Sequence, residues 1–273
     1  MAAATAVVFG YGDIGVRGLA ALLEAGLEVT LVVTHRDDPD ETRWYASLFD
    51  FAQAKRLPVV TDPPADVGNP DLIFSFYYRN MLPMSLLKRA RLGAYNMHGS
   101  LLPKFRGRAP LNWAILKGET ETGVTLHEMV EKPDAGRIVD QQAVSIGPDE
   151  TAVEVFHKMT DAAAAVLKRS ISSLVAGKPA FRPNEISKGS YYGRRRPEDG
   201  RIDWSKSAKE IHDLVRAVAP PFPGAFTDGM KIHKTRIETG KPKQRGPYQE
   251  NREWFAGCGD GKVLRLLEVL ESK

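Results

Sequence analysis

The feature that most constrains the fold is an alternation of short apolar runs with amphipathic stretches across the first two-thirds of the chain. Residues 6–9 form a first apolar run, and residues 14–23 have helical spacing and end before Gly26. A β-branched run follows at residues 29–33. Because helices that connect successive strands leave those strands parallel, the alternation predicts an α/β fold with a mainly parallel, doubly wound sheet.

The same pattern continues along the chain. Further apolar runs that predict strands occur at residues 59–60, 72–74 and 94–97, with a helical stretch at residues 45–54. Residues 124–130 and 138–144 are predicted to be extended. A long helix then begins near Thr151, which has Glu154 at capping-box spacing, and it ends at Gly177.

The last third of the chain has a different organisation. Residues 179–197 show little periodicity and predict a linker. A second capped helix begins near Ser207, with Glu210 at capping-box spacing, and residues 225–269 predict short strands and turns. We therefore expect a main domain of residues 1–180, a linker of residues 181–203 and a small C-terminal domain of residues 204–273.

Composition excludes several classes of protein. No apolar run in the 273 residues approaches the roughly 18 residues that a membrane helix needs, so we expect no membrane insertion. The first ten residues lack the cationic segment of a secretory signal, which favours a cytoplasmic protein. The single cysteine, Cys258, can form neither an internal disulfide nor a cysteine-rich zinc site, and we expect no metal. The net charge of +4 favours anionic partners without selecting nucleic acid over a nucleotide or folate.

Residues 10–15, Gly-Tyr-Gly-Asp-Ile-Gly, form a glycine-rich turn between the first strand and the first helix. The turn matches the dinucleotide fingerprint GxGxxG. That fingerprint also needs an acidic residue at the end of the second strand, to bind a ribose hydroxyl. Here residues 34–36 are Thr-His-Arg, and Asp37 comes only later. A tight turn in any α/β sheet explains these glycines, and an NAD-dependent oxidoreductase stays a remote alternative.

Residues 94–103 carry the side chains with the most chemistry. Asn96 and His98 lie two positions apart at the end of a predicted strand, so both leave the same face, at the edge where open α/β sheets bind ligands. An amide N–H and an imidazolium are donors suited to a developing oxyanion, and the carboxylate of Asp134 could favour the imidazolium. Taken alone, an Asn-x-His pair is more often hydrogen-bonded scaffolding than a catalytic site, and an aspartate before Ala-Gly is more often a turn residue. We interpret His127 as a strand histidine outside the site.

A resemblance to a known family favours the chemical interpretation. Residues 96–113, which begin Asn-Met-His-Gly-Ser-Leu-Leu-Pro, and residues 118–127 resemble the folate-dependent formyltransferase family. Residues 11–15, 74–79 and 216–226 extend the resemblance over nearly the whole chain. The chain is most similar to the ArnA-type branch, the formyltransferase domain of a bifunctional polymyxin-resistance protein. That branch formylates UDP-4-amino-4-deoxy-L-arabinose in lipid A modification.

The resemblance implies a Rossmann-like formyltransferase domain, a small C-terminal β-barrel-like domain and 10-formyltetrahydrofolate as co-substrate. It also implies that Asn96 and His98 stabilise the tetrahedral state while Asp134 tunes the histidine. In the family turn, the Leu102–Pro103 peptide is often cis, and we expect that form here. The implied folate contacts are Asn80, Met81, Leu82, Arg108, Val130, Glu131, Lys132, Pro133 and Asp134. Asn80 departs from the histidine of ArnA-type proteins.

The sequence leaves two classes of acceptor for the formyl group, a sugar nucleotide and a tRNA. We place its contacts at Tyr11, at Gly12 and at the three arginines Arg194, Arg195 and Arg196, because arginines bind phosphate and the neighbouring tyrosines can stack on a base. Acidic residues after the second strand would repel an RNA backbone: Asp37, Asp38, Asp40 and Glu41. Basic residues gather late in the chain: Lys231, Lys234, Arg236, Lys241, Lys243 and Arg245. We expect an amino-sugar nucleotide, with methionyl-tRNA formyltransferase as the alternative.

Overall fold

The computed structural model describes residues 3–37 and 43–271. The chain forms two compact units, each built from several segments. The first comprises Met1–Gly107, Gly123–Val144 and Lys158–Tyr191, and the second Arg108–Thr122, Ser145–His157 and Tyr192–Lys273. Asp38, Asp40 and Glu41 lie outside the described residues, so the expectation about their charge stays a prediction.

The main sheet accounts for the alternation seen in the sequence. Its strands are β1 (Thr5–Gly10), β2 (Glu28–Val33), β3 (Val59–Val60), β4 (Leu72–Phe76) and β5 (Ala94–His98), then, after the short β6 (Arg106–Gly107), β7 (Glu121–Glu128) and β8 (Ile138–Ser145). Within the described residues this sheet has seven strands, in the order β3-β2-β1-β4-β5-β7-β8. The first five are parallel, and β7 runs antiparallel to β5.

The helices of the described residues are α1 (Gly12–Glu24), α2 (Leu48–Ala54), α3 (Met84–Leu87), α4 (Pro110–Leu116), α5 (Ala152–Val175) and α6 (Ala208–Val218). Two of them, α5 and α6, begin at capping pairs that the sequence predicts. The capping pair before α5 is confirmed, since the backbone N–H of Thr151 donates to Glu154 Oε2 at 2.7 Å. Ser207 and Glu210 form the complete capping box of α6. The helix predicted from residue 45 begins later, because Ser47 is its N-cap.

Tight packing beneath the sheet fixes the strand ends that carry the candidate site. The fully buried Val7, Phe9 and Ile73 pack in one apolar cluster with Val33, Leu87 and Ala94. β4 and β5 are in parallel register, with Ser75 opposite Asn96. Asn96 and His98 therefore leave a strand that is paired on both sides, which limits how far they can move.

The second unit contains a small antiparallel sheet. The short β9 (Tyr191–Tyr192) precedes it and pairs with β6. Its strands are β10 (Ala225–Thr227), β11 (Met230–Glu238), β12 (Gly246–Glu250), β13 (Glu253–Gly257) and β14 (Val263–Glu271), in the order β10-β11-β14-β13-β12. Helix α6 packs against β11. The α/β class, with a mainly parallel sheet and a small C-terminal β domain, is thus confirmed.

The Leu102–Pro103 peptide bond is cis, as expected. Among the described residues, no helix combines the length and the apolar character needed to cross a membrane.

Candidate active site

His98 is the last residue of β5, and its imidazole is buried. Its Nε2 lies 2.9 Å from the carbonyl oxygen of Phe105. Because a carbonyl can only accept, Nε2 carries a hydrogen and donates it. Nδ1 lies 3.5 Å from Oδ1 of Asp134. A neutral His98 therefore presents an unprotonated Nδ1 that lies near a carboxylate.

The Asp134 carboxylate is held on its other side by the backbone. The N–H of Gly107 donates to its Oδ2 at 2.9 Å. Asn184 Nδ2 donates to the carbonyl oxygens of Asp134, at 3.0 Å, and Gly136, at 3.1 Å, which fixes the loop. Asp134 has a φ of 52°, in the left-handed region that non-glycine residues seldom adopt. Such conformations persist where surrounding contacts over-determine them, and they concentrate at functional sites.

His127 belongs to this cluster, and its sequence-based interpretation as a strand histidine outside the site is wrong. It lies directly opposite Asn96 in the antiparallel pairing of β5 with β7. Its Nδ1 is 2.8 Å from the Glu128 carbonyl oxygen and must donate there. In the neutral ring, Nε2 is then an acceptor, and Asn96 Nδ2 donates to it at 3.1 Å. This bond fixes the orientation of the Asn96 carboxamide and leaves its second N–H for a ligand.

The protonation state of His127 follows from its surroundings. Burial lowers the pKa of His127 from 6.5 to about 4, and repulsion from His98 acts in the same direction. Asp134, which is 3.7 Å from Nε2, and the carbonyl and carboxylate of Glu128 oppose that shift. His127 is therefore neutral at pH 7 and can accept the hydrogen bond from Asn96.

Comparison with known families decides the identity of the chain. The profile of the family described as Formyl transferase matches residues 6–171, more than half of the chain, and that of its C-terminal domain matches residues 195–273. The chain is a member of the formyl transferase family. It is therefore a formyltransferase and not an NAD-dependent oxidoreductase.

Solved structures of several N-formyltransferases share the fold of this formyltransferase. An N-formyltransferase from Helicobacter canadensis, in complex with folinic acid and dTDP-3-aminofucose, is 22% identical, with a TM-score of 0.81 over 96% of this chain and 98% of that one. WlaRD, a sugar 3N-formyltransferase studied with dTDP and 5-N-formyl-THF, is 21% identical, with a TM-score of 0.79 over 97% and 98%. A 4-N formyltransferase from Francisella tularensis is 21% identical, with a TM-score of 0.66 over 80% and 90%.

The loops expected to bind folate follow the two strands that flank β5. Asn80, Met81 and Leu82 come after β4, and Met81 is 64% exposed. Residues 130–134 come after β7, and Glu131, Lys132 and Pro133 are exposed. Arg108 lies in the second unit, where its backbone N–H donates to the Tyr192 carbonyl at 2.9 Å. The folate contacts stay predictions, on loops of the kind that bind ligands.

The glycine-rich turn of the formyltransferase is explained by geometry and packing. Gly12 has a φ of 60°, and a Cβ at Gly10 would lie 2.8 Å from Leu48 Cδ2. The positive φ at Gly12 and the close approach of Leu48 to Gly10 both favour glycine, so neither position needs a bound nucleotide to explain it. Tyr11, the N-cap residue of α1, lies beneath the guanidinium of Arg79, which is 4.1 Å from the ring centre. The acceptor contacts expected at Tyr11 and Gly12 stay predictions.

The three consecutive arginines of the second unit are not equivalent. The guanidinium of Arg195 lies 5.1 Å from the ring centre of Trp113, and it donates to the Asp199 carbonyl at 2.9 Å. Burial lowers the pKa of Arg195, and the charge of Asp199 opposes that effect. Arg194 and Arg196 are exposed. Arg195 thus stabilises its own unit, and the exposed pair is the better candidate for binding an anion.

Two other candidate chemistries find no support in the described part of the chain. No group of three or more His, Cys, Asp or Glu side chains among the described residues is placed to hold a metal ion. Cys258 is buried, and burial raises the pKa of its thiol to about 11. Because the thiolate is the nucleophilic form, Cys258 is a structural residue.

Proposed function

We propose that this formyltransferase moves a formyl group from 10-formyltetrahydrofolate to the amine of an amino-sugar nucleotide. UDP-4-amino-4-deoxy-L-arabinose is the acceptor that we propose first, as in the ArnA-type branch and its lipid A modification. The observation that carries the proposal is the meeting of Asn96, His98 and Asp134 at the end of β5 in a member of the formyl transferase family. Folate and dTDP-sugar ligands of the similar structures support this choice of substrates.

The proposed reaction begins with attack of the acceptor amine on the formyl carbon. A new C–N bond forms, and the formyl oxygen gains the electron pair of the C=O bond. The free N–H of Asn96 donates to this oxyanion, and its position is fixed by the bond to His127. Because Asn96 is oriented before the substrate arrives, little reorganisation is needed in the transition state.

His98 handles the proton in the proposed mechanism. Its Nδ1 takes a proton from the attacking nitrogen, since Nε2 is already committed to the Phe105 carbonyl. The resulting imidazolium lies beside the carboxylate of Asp134, and its positive charge also stabilises the negative charge of the oxyanion. The bond between the formyl carbon and N10 of the folate then breaks, and N10 receives the proton from Nδ1. The products are tetrahydrofolate and a formylated amine.

Substitution of the three central residues tests the catalytic assignment. Asn96→Ala, His98→Ala and Asp134→Ala should each lower kcat, by about 10²–10³-fold for loss of one oxyanion donor. Circular dichroism and thermal melting should show that the variants fold. The matched control is His157→Ala, at an exposed histidine of α5, which should keep wild-type kcat. A folded His98→Ala enzyme with near-normal turnover would show that the assignment is wrong.

An acceptor panel tests the substrate class. The enzyme is incubated with 10-formyltetrahydrofolate and UDP- or dTDP-linked amino sugars, with charged initiator tRNA alongside, and formylated products are detected by mass spectrometry. We expect turnover with a sugar nucleotide and none with the tRNA. Formylation of the tRNA alone would reject the proposed acceptor and establish the alternative.

One ion pair in the late basic group weighs against RNA as the acceptor. Within the late basic group, Lys243 pairs with Glu250 at 2.8 Å, which reduces the positive field available to a phosphate backbone.

The proposal includes a division of the chain into a catalytic domain of residues 1–180, a linker of residues 181–203 and a small domain of residues 204–273.

The exposed arginines offer a separate test of nucleotide binding. Arg194→Ala or Arg196→Ala should raise KM for the sugar nucleotide while KM for the folate and kcat change little, because only uniform binding energy is lost. Arg195→Ala should instead lower the melting temperature, since its guanidinium packs on Trp113. Wild-type KM for the nucleotide in the variants of both exposed arginines would exclude them as the phosphate site.

A further inference from the structure

Residues 189–191, which we call the strap, run beside the backbone segment that holds both His98 and Asp134. The N–H of Ser190 donates to the Pro103 carbonyl at 3.3 Å, and its carbonyl accepts from the N–H of Arg106 at 3.0 Å. At Gly189 a Cβ would lie 2.0 Å from the Pro103 oxygen. The strap can approach this closely because residue 189 has no side chain.

The Ser190 side chain adds a third contact. Its Oγ accepts a hydrogen bond from the backbone N–H of Phe105 at 2.9 Å. The carbonyl of the same residue, Phe105, accepts from His98 Nε2 at 2.9 Å. The hydroxyl of Ser190 is therefore connected to the catalytic imidazole through one residue, whose two backbone groups are both engaged.

The backbone of Phe105 needs such support. Phe105 has a φ of 56°, and Gly107 has a φ of 98°, so the segment turns through the left-handed region twice. For a bulky residue such as phenylalanine this conformation is strained, and it persists only when its surroundings hold it. The N–H of Gly107 in turn holds Asp134 Oδ2. Release of Phe105 would thus disturb the partners of both His98 and Asp134.

We propose that Ser190 is a positioning residue for formyl transfer, whose hydroxyl holds Phe105 in the conformation that fixes the tautomer and orientation of His98. The proposal rests on the proposed function, in which His98 and Asp134 act on the substrates. Ser190 itself does not touch the reacting atoms. Its effect is on the placement of the imidazole, and misplacement of a catalytic group lowers kcat more than substrate binding.

Three variants test the role of the hydroxyl. Ser190→Ala removes the acceptor for the Phe105 N–H, Ser190→Thr keeps a hydroxyl, and Ser187→Ala alters an exposed serine three residues earlier. Ser190→Ala should lower kcat about tenfold, the factor that corresponds to one hydrogen bond of about 1.4 kcal/mol. KM for 10-formyltetrahydrofolate should stay close to wild type, and the melting temperature should fall by only about 2–4 °C. Ser190→Thr should restore kcat, and Ser187→Ala should not change it.

A spectroscopic measurement separates this proposal from the proposed function. Nitrogen-15 NMR of the imidazoles reports whether His98 carries its hydrogen on Nε2, without any need for an acceptor. We expect Nε2–H in the wild type and in Ser190→Thr, and a mixed tautomer in Ser190→Ala. Wild-type kcat and tautomer in Ser190→Ala, or a kcat loss that threonine does not rescue, would overturn the role of Ser190. Retained activity in His98→Ala would instead overturn the catalytic assignment.

Discussion

Replacement of His127 by glutamine tests the neutral imidazole that orients Asn96. In the folded protein the pKa of His127 is about 4, because burial and then repulsion from His98 disfavour its cation, against 6.5 for the ordinary side chain. Between these two pH values the unfolded chain binds a proton at His127 that the folded protein does not bind.

The direction of the pH effect follows from this difference. Because the unfolded state binds more protons, the free energy of unfolding rises with pH and falls on acidification between pH 6.5 and about 4. The loss due to His127 is negligible above about pH 7 and amounts to about 2 kcal/mol at about pH 5. It approaches about 3 kcal/mol near the folded pKa and then stops growing.

The His127→Gln variant removes the titration while it keeps the hydrogen bonds. The amide oxygen of glutamine can accept from Asn96, and its nitrogen can donate to the Glu128 carbonyl. Urea denaturation at pH 7.5 and pH 5.0 gives the free energy of unfolding of each protein. Between these conditions, the wild type should lose about 2 kcal/mol more than His127→Gln.

A matched control separates this effect from general acid destabilisation. His157→Gln alters an exposed histidine of α5 and should follow the pH dependence of the wild type. If the wild type and His127→Gln lost the same free energy on acidification, His127 would not be held neutral by its surroundings. The account of how Asn96 is oriented would then be refuted.

Three further predictions concern the loop of Asp134, a buried ion pair and ligand choice. Gly136→Ala would place a Cβ 1.9 Å from the Glu128 carbonyl oxygen. Urea denaturation should therefore show a free energy of unfolding about 1–3 kcal/mol lower than that of the wild type, and an unchanged value would contradict this packing. Asp213→Asn removes the negative charge beside the buried Arg216, whose Nε donates to Asp213 at 2.8 Å, and should cost about 3–5 kcal/mol, whereas Asp161→Asn at an exposed pair should cost little; equal losses would argue against burial as the cause. In thermal melting, 5-formyltetrahydrofolate should raise the Tm and NAD should not, and the reverse result would reject the folate site.

The sequence by itself determined most of the elements and one half of the candidate site. Apolar periodicity predicted most of the strands and the longer helices, and the capping boxes placed the start of α5 and α6, because both signals depend on residues close together in the chain. The short helices α3 and α4 were not predicted. The two-residue spacing of Asn96 and His98 placed both on one face of β5 for the same local reason. A loop between two extended segments suggested Asp134, but the residues alone left its partner open.

Only the tertiary structure decided the other half. His127 lies opposite Asn96 because β7 pairs antiparallel with β5, and that register depends on hydrogen bonds between segments about thirty residues apart. The bond from His98 to the Phe105 carbonyl depends on a left-handed backbone that the strap residue Ser190 supports. Strand partners and strained turns are chosen by the whole assembly of contacts. A periodic pattern in the sequence records which face a side chain occupies, and it does not record what lies across from it.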